Sequence, residues 1–147
     1  MIAIRLSRPA SAWVALAAAG LLVSGCVEPA GAPGSRDRVF AADMAGGARK
    51  CEAPAPDLRD GQPTDVAMKV ANDGGWCGVM AQRGGRAFDS GLLTTRPANG
   101  KVVMNRVGDA TRVAYTPTKG FTGTDSFAVK LIPGDSVVRV AVTVTAN

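Results

Sequence analysis

Two stretches of alternating apolar and polar residues near the end of the chain, residues 112–116 and 126–132, constrain the fold most. They flank a connector that contains Pro117, Gly120 and Gly123. Alternation with a period of two is typical of half-buried β-strands, and proline and glycine mark the turns that join them. The sequence therefore predicts a strand, a structured turn and a second strand in this region.

Similar segments continue the pattern on both sides of this region. The predicted strands are residues 64–70, 76–82, 92–96, 101–107, 111–116, 126–132 and 137–145. Turn residues separate them, and outside residues 1–25 no apolar stripe of helical period is longer than two turns. This spacing predicts an all-β fold, an immunoglobulin-like β-sandwich of about seven antiparallel strands. The predicted core consists of Val66, Met68, Val79, Leu93, Val102, Met104, Val113, Tyr115, Phe127, Val129, Leu131, Val138, Val140 and Val142.

The connector and its flanks resemble a signature of bacterial immunoglobulin-like and cadherin-like repeat domains, Y-T-P-x-x-G-F-x-G-x-D-S-F. The matching residues are Tyr115, Pro117, Gly120, Phe121, Gly123, Asp125 and Phe127. The resemblance covers about residues 92–144 and implies a β-sandwich module on a cell envelope. Members of this family commonly occur as tandem repeats, whereas this chain has one copy. We expect Phe121 to close one end of the sandwich and Asp125 to cap the connector through its carboxylate.

The N-terminal region has the pattern of an export signal. Arg5 and Arg8 precede a short apolar run, residues 12–23, which as a helix would cover only ~18 Å of the ~30 Å hydrocarbon core of a bilayer. Small residues follow this run. A basic start, a short apolar run and small residues predict a secretory signal peptide over residues 1–25.

The end of this signal, Val-Ser-Gly-Cys, resembles the lipobox of bacterial lipoproteins. The resemblance implies a diacylglyceryl thioether on Cys26, cleavage before Cys26 and acylation of the new amino group. Two or three acyl chains attach a protein durably to a membrane, whereas one does not. The alternative is an ordinary secretory signal with a chance cysteine. Val27 follows Cys26, which under the sorting rule of enteric bacteria indicates the outer membrane.

Residues 26–50 form the predicted lipidated start and flexible linker, and residues 51–147 form the predicted sandwich domain. The linker is rich in Ala, Gly, Pro and Ser and has few large apolar residues. Such a composition cannot bury enough apolar surface to offset the entropy lost on ordering. Residues 39–45 could instead form a helical turn or dock on the domain.

Cys51 and Cys77 are the cysteines that remain once Cys26 carries lipid. In an exported chain an even pair predicts a disulfide, because the compartment outside the cytoplasm is oxidising. The functional alternatives are a redox pair and a zinc site. A redox pair usually has C-x-x-C spacing and a zinc site needs four ligands, so we predict a structural bridge.

Little in the sequence points to catalysis or to a cofactor. Histidine is absent, so Ser90, Ser126 and Ser136 lack the usual general base. Asp125 and Asp135 stand apart, without the spacing of a calcium loop, and we predict no cofactor and no metal. The formal charge is +5, but the cations are interspersed with acids, which argues against a nucleic-acid partner.

The sequence therefore leads to the hypothesis of a membrane-anchored, non-enzymatic lipoprotein of a bacterial cell envelope that presents one interaction or structural module. Its partners would be the membrane, through the lipid anchor, and an unidentified envelope protein or glycan. The binding surface would be a loop end containing residues 74–78 and 82–86, or an unpaired sheet edge. The alternative is an inhibitor of a lytic enzyme, resembling small lipoprotein inhibitors of lysozyme, although the chain lacks the acidic surface that a basic lysozyme would favour.

Overall fold

The structure, a computed structural model, describes residues 38–147. The predicted signal peptide (residues 1–25), the predicted lipidation of Cys26 and residues 27–37 of the predicted linker lie outside the described residues. The elements are α1 (Ala41–Met44), β1 (Cys51–Glu52), β2 (Pro63–Ala71), β3 (Cys77–Ala81), β4 (Ser90–Thr95), β5 (Gly100–Val107), β6 (Ala110–Pro117), β7 (Gly123–Ile132) and β8 (Ser136–Thr145).

The strands form two sheets, which confirms the all-β sandwich. The larger sheet has the order β1-β2-β8-β7-β4, and the smaller sheet has the order β3-β6-β5. If β2 is counted as the first strand, then β4, β7 and β8 are the third, sixth and seventh, and they share one sheet, as in an immunoglobulin-type sandwich. The second, fifth and fourth strands, which are β3, β6 and β5, form the other sheet in the order of that fold. Here β2 takes the place of the first strand, on the side of the last.

The pairing of β2 with β8 differs from the prediction of antiparallel strands. These two strands run parallel from Pro63 opposite Val137 to Ala71 opposite Thr145, whereas every other pair of strands in the described residues is antiparallel. Alternation shows which face of a strand is buried and does not show its direction, so the sequence did not reveal this pairing.

The core lies between the sheets and is built by the alternating strands. In β8 the residues Val138, Val140, Val142 and Val144 are buried, while Arg139 and its outward neighbours are exposed. Each buried valine removes apolar surface from water, at ~25 cal/mol per Å². The core thus repeats the period-two pattern of the sequence.

Most of the predicted core is confirmed. Leu93, Val102 and Met104 are only partly buried, although they pack against the buried cluster. Phe88 is a core residue that the sequence did not indicate, because it lies in the irregular segment between β3 and β4.

Candidate functional site

The predicted disulfide is present. The sulfur atoms of Cys51 and Cys77 are 2.04 Å apart, and the bond joins β1 of the larger sheet to β3 of the smaller sheet. Cys77 is fully buried. The bridge therefore links the two sheets, and neither sulfur is a free thiol.

Tyr115 connects the core to the loop between β4 and β5. Its ring stacks on Phe127, with centroids 5.8 Å apart, and its hydroxyl lies 2.9 Å from Asp125 Oδ2 and 3.1 Å from Asn99 O. A Cβ atom on Gly100 would lie 2.2 Å from this ring, so only glycine fits there. Burial, together with the adjacent Asp125 carboxylate, raises the pKa of the Tyr115 hydroxyl, which stays protonated and donates.

The sequence predicted that Asp125 caps the connector, but in the structure its carboxylate binds a different loop. Its carboxylate accepts hydrogen bonds from the backbone amides of Ala98 (2.9 Å), Asn99 (2.8 Å) and Ser126 (2.8 Å), and from the hydroxyl of Tyr115. Burial opposes ionisation, but these hydrogen bonds outweigh it and hold the pKa of Asp125 below its usual value. Asp125 thus fixes the loop that carries the chain from one sheet to the other.

The connector itself is held by a residue from another turn. The side-chain amide of Asn72 donates through Nδ2 to Thr118 O at 2.7 Å and to Phe121 O at 2.9 Å. Gly120 and Gly123 have φ values of +81° and +127°, which other residues rarely adopt. Phe121 is partly buried against the core, in agreement with its predicted position at one end of the sandwich. Within the described residues, the motif is therefore a set of structural contacts.

The two glycine-rich turns proposed as a binding site lie at opposite ends of β3. Residues 72–76 precede the strand, beside the connector, and residues 82–86 follow it. At the second end Arg83 pairs with Asp60, with Nε 2.9 Å from Oδ1. The single loop end that the sequence suggested, containing both turns, is therefore wrong, because a strand of five residues separates them.

Residues 38–49, which we call the N-terminal segment, contact the sandwich, although a flexible linker was predicted up to Lys50. Trp76 holds this segment through three hydrogen bonds: its indole Nε1 donates to Ala45 O (2.9 Å), its backbone amide donates to Gly46 O (3.1 Å), and its carbonyl accepts from the Ala48 amide (2.8 Å). The open alternative for residues 39–45, a helical turn or docking on the domain, therefore holds: α1 spans Ala41–Met44, and Ala45 O accepts from Trp76. Composition suggested a linker because the segment has few large apolar side chains. It is held instead through its backbone carbonyls and amides, which a side-chain pattern does not reveal.

Arg112 is the buried contact beneath the N-terminal segment. It lies in β6, is 7% exposed, and its guanidinium carbon is 4.0 Å from the centroid of the Trp76 ring. Its Nη1 donates to Asp43 O, whereas its Nε has no hydrogen-bond partner in the part of the chain that the structure describes. A cation on a tryptophan face, shielded from water, is an attractive contact. Both faces of β6 are consequently buried.

Glycines make room for this arrangement. A Cβ atom on Gly75 would lie 2.4 Å from the backbone nitrogen of Ala48, and one on Gly78 would lie 2.9 Å from Cγ of Arg112. Gly75 and Trp76 of this turn thus contact the N-terminal segment, whereas Gly74 is exposed.

Within residues 38–147 the terminal strands of the two sheets are β1 and β4 in the larger sheet and β3 and β5 in the smaller sheet. Among the described strands β4 pairs only with β7, and Leu92 on β4 is the most exposed large apolar residue of the strands, at 59%. A shallow groove of about 530 Å³ lies on the outer face of the same sheet. Its lining includes Ala67, Ala128 and Ala141, beside the ion pair of Asp65 and Arg139. The unpaired edge, which the sequence offered as an alternative, is therefore available to a partner.

The acidic residues have structural partners in most cases. Asp60 and Asp65 pair with arginines, and Asp73 accepts from the amides of Arg49 (2.8 Å) and Gly75 (2.9 Å). These two amides hold the pKa of Asp73 below its usual value. Among residues 38–147 no three potential metal ligands lie close enough to hold an ion, and no helix is both long and apolar enough to cross a bilayer.

Comparison with models of known protein families gave no match. A comparison with curated proteins gave no match either. The likeness to bacterial immunoglobulin-like repeats therefore stays a prediction from the residues that carry it.

Proposed function

We propose that this chain is a lipid-anchored, non-enzymatic lipoprotein of a bacterial cell envelope that presents one immunoglobulin-like module to a partner. The lipobox-like end of the signal region and the single cysteine at position 26 support the anchor. The bridge between Cys51 and Cys77 supports export, because such bonds persist in oxidising compartments. The envelope membrane facing the periplasm or the cell surface, most simply the outer membrane, is the proposed location.

The observation that carries the binding role is the unpaired edge of β4 with its exposed Leu92. An extended segment of a partner protein can add to such an edge through main-chain hydrogen bonds, while an apolar side chain beside the edge gives further contact. The groove on the outer face of the same sheet reaches β4 at Thr95 and continues past Ala128 and Ala141, so a partner bound at the edge can extend onto this face. We therefore propose an envelope protein as the partner, bound at the β4 edge; a glycan or a lytic enzyme is the other outcome of the test.

The test is affinity capture from detergent-solubilised membranes with three proteins: the unmodified chain, Leu92→Glu and Val103→Glu. Val103 is the comparison at another edge, because it is 38% exposed and lies on β5, a terminal strand of the smaller sheet. Loss of capture by Val103→Glu alone would overturn the assignment to β4 and place the partner at β5. We expect the unmodified chain and Val103→Glu to retain the same envelope protein and Leu92→Glu to lose it. Retention of a lytic enzyme would instead support an inhibitor, and retention of peptidoglycan would support a glycan partner. Equal capture by all three proteins would exclude the β4 edge as the binding surface.

A further inference from the structure

The N-terminal segment exposes apolar side chains although it is docked. Val39, Phe40 and Met44 are 55%, 63% and 56% exposed. Three other large apolar residues in the described part of the chain are exposed, at 59%, 38% and 40%, and they are scattered over β4, β5 and β7. A group of exposed apolar residues within six positions is a mark of an interaction surface.

The contacts that dock the segment do not bury these side chains. Arg112 and Trp76 bind the carbonyls of Asp43 and Ala45, and the Asp43 carboxylate accepts from the amide of Phe40 at 2.8 Å. Helix α1 buries no residue at all. The backbone is thus fixed against the sheet while Phe40 and its apolar neighbours point to solvent, so the core of the domain does not account for them.

The short chain between the N-terminal segment and the proposed anchor indicates that a lipid bilayer covers these exposed side chains. Arg38 lies only twelve positions after Cys26. Such a chain spans at most ~40 Å when fully extended and ~20 Å on average when flexible. A lipid on Cys26 therefore keeps the segment close to the bilayer, at a high effective concentration of membrane surface.

The charges beside the exposed apolar residues also fit a membrane surface. Arg38 and Arg106 line a depression together with Phe40, and Asp43 is the acid there. The Asp43 carboxylate, which accepts from the Phe40 amide, offsets one of the two arginine charges there. Arginines next to exposed apolar side chains favour a surface with anionic lipid headgroups.

We propose that Val39, Phe40 and Met44 insert into the surface of the bilayer that holds the Cys26 anchor. This inference rests on the lipidation proposed above. The smaller sheet, on which the segment is docked, then faces the membrane, and the β4 edge of the larger sheet is left accessible to a partner. The domain would have a preferred orientation on the membrane.

The test uses the full lipidated protein in vesicles of phosphatidylethanolamine and phosphatidylglycerol whose acyl chains are brominated near the headgroup. Tryptophan is introduced as Phe40→Trp and, as a matched control, as Leu92→Trp. The two positions are 63% and 59% exposed; Phe40 lies in the segment docked on the smaller sheet, and Leu92 lies on β4 of the larger sheet. The emission of Trp76 in the unmodified protein is subtracted. We expect bromine to quench the added emission of Phe40→Trp by about half or more, as for a side chain at the headgroup boundary, and to leave that of Leu92→Trp unchanged.

Flotation of the same samples separates the two proposals. Protein that does not float with the vesicles contradicts the lipid anchor. Protein that floats while Phe40→Trp is unquenched overturns the inserted segment and leaves the anchor standing. Equal quenching of Phe40→Trp and Leu92→Trp also overturns it, because the domain would then have no preferred orientation.

Discussion

Replacement of Asp125 by asparagine tests the contact that joins the two sheets at the connector end. The carboxylate accepts four hydrogen bonds, two on each oxygen: Ala98 and Ser126 on Oδ1, Asn99 and Tyr115 on Oδ2. An asparagine keeps one oxygen and places an NH₂ group where the other oxygen was. The two groups that donated to the replaced oxygen then face the NH₂ group, which is itself a donor. The other two hydrogen bonds keep an oxygen acceptor, but that oxygen no longer carries negative charge.

The magnitude follows from these contacts. Hydrogen bonds to a charged group contribute ~1.5–3 kcal/mol each, and two are lost, but Asp125 is only partly buried and water can replace part of them. We expect Asp125→Asn to lower the free energy of unfolding by about 3 kcal/mol at pH 7. The pKa of Asp125 is lower in the folded protein than the ordinary value of 3.8. The stabilisation is therefore complete above that ordinary value and is lost as the pH falls through the folded pKa.

Urea unfolding at pH 7 and at a series of acidic pH values measures both parts of this prediction. The difference between the unmodified protein and Asp125→Asn should be largest at neutral pH and should shrink in acid. Asp89→Asn, at an exposed residue between β3 and β4, is a control for the loss of one carboxylate away from this contact. A loss below about 1 kcal/mol at pH 7, or a loss that does not change with pH, would refute the role given to the carboxylate.

Two further changes test the bridge and the docked segment. Replacing Cys51 and Cys77 together by alanine should lower the free energy of unfolding by ~3.5 kcal/mol, the chain-entropy value for a closed loop of this length, as measured by urea unfolding; an unchanged midpoint would contradict it. Gly75→Ala should displace the N-terminal segment, because its Cβ would lie 2.4 Å from the Ala48 nitrogen, and should therefore shift Trp76 emission to the red and speed proteolysis of the segment. Unchanged emission and proteolysis would show that the segment does not depend on this close approach.

The strands were predictable because burial of one face imposes a period of two. The last predicted strand, residues 137–145, coincides with β8 to within one residue, and its buried valines are those that the pattern indicated. The disulfide was predictable for another reason, since a compartment that oxidises thiols leaves an even pair few alternatives. Both inferences use only local pattern or composition.

The sequence did not reveal which residues far apart in the chain contact each other. Asp125 looked like a local cap, but besides the amide of Ser126 it binds those of Ala98 and Asn99, in a loop more than twenty residues earlier. The N-terminal segment looked like a linker because its docking depends on Trp76 and on a buried Arg112, and nothing in the pattern of β6 marks that arginine as covered. Both contacts join residues that only the fold brings together.

The mass of the intact protein extracted from membranes tests the proposed identity most directly. We predict a chain that begins at Cys26, carries a diacylglyceryl group and an added acyl chain on that residue, and lacks the two hydrogens lost in the bridge between Cys51 and Cys77. A Cys26→Ser protein should lack the acyl mass and leave the membrane fraction after release of its signal, or remain uncleaved. A mature product without acyl mass on Cys26 would contradict the lipid anchor and, with it, the membrane orientation inferred for the domain.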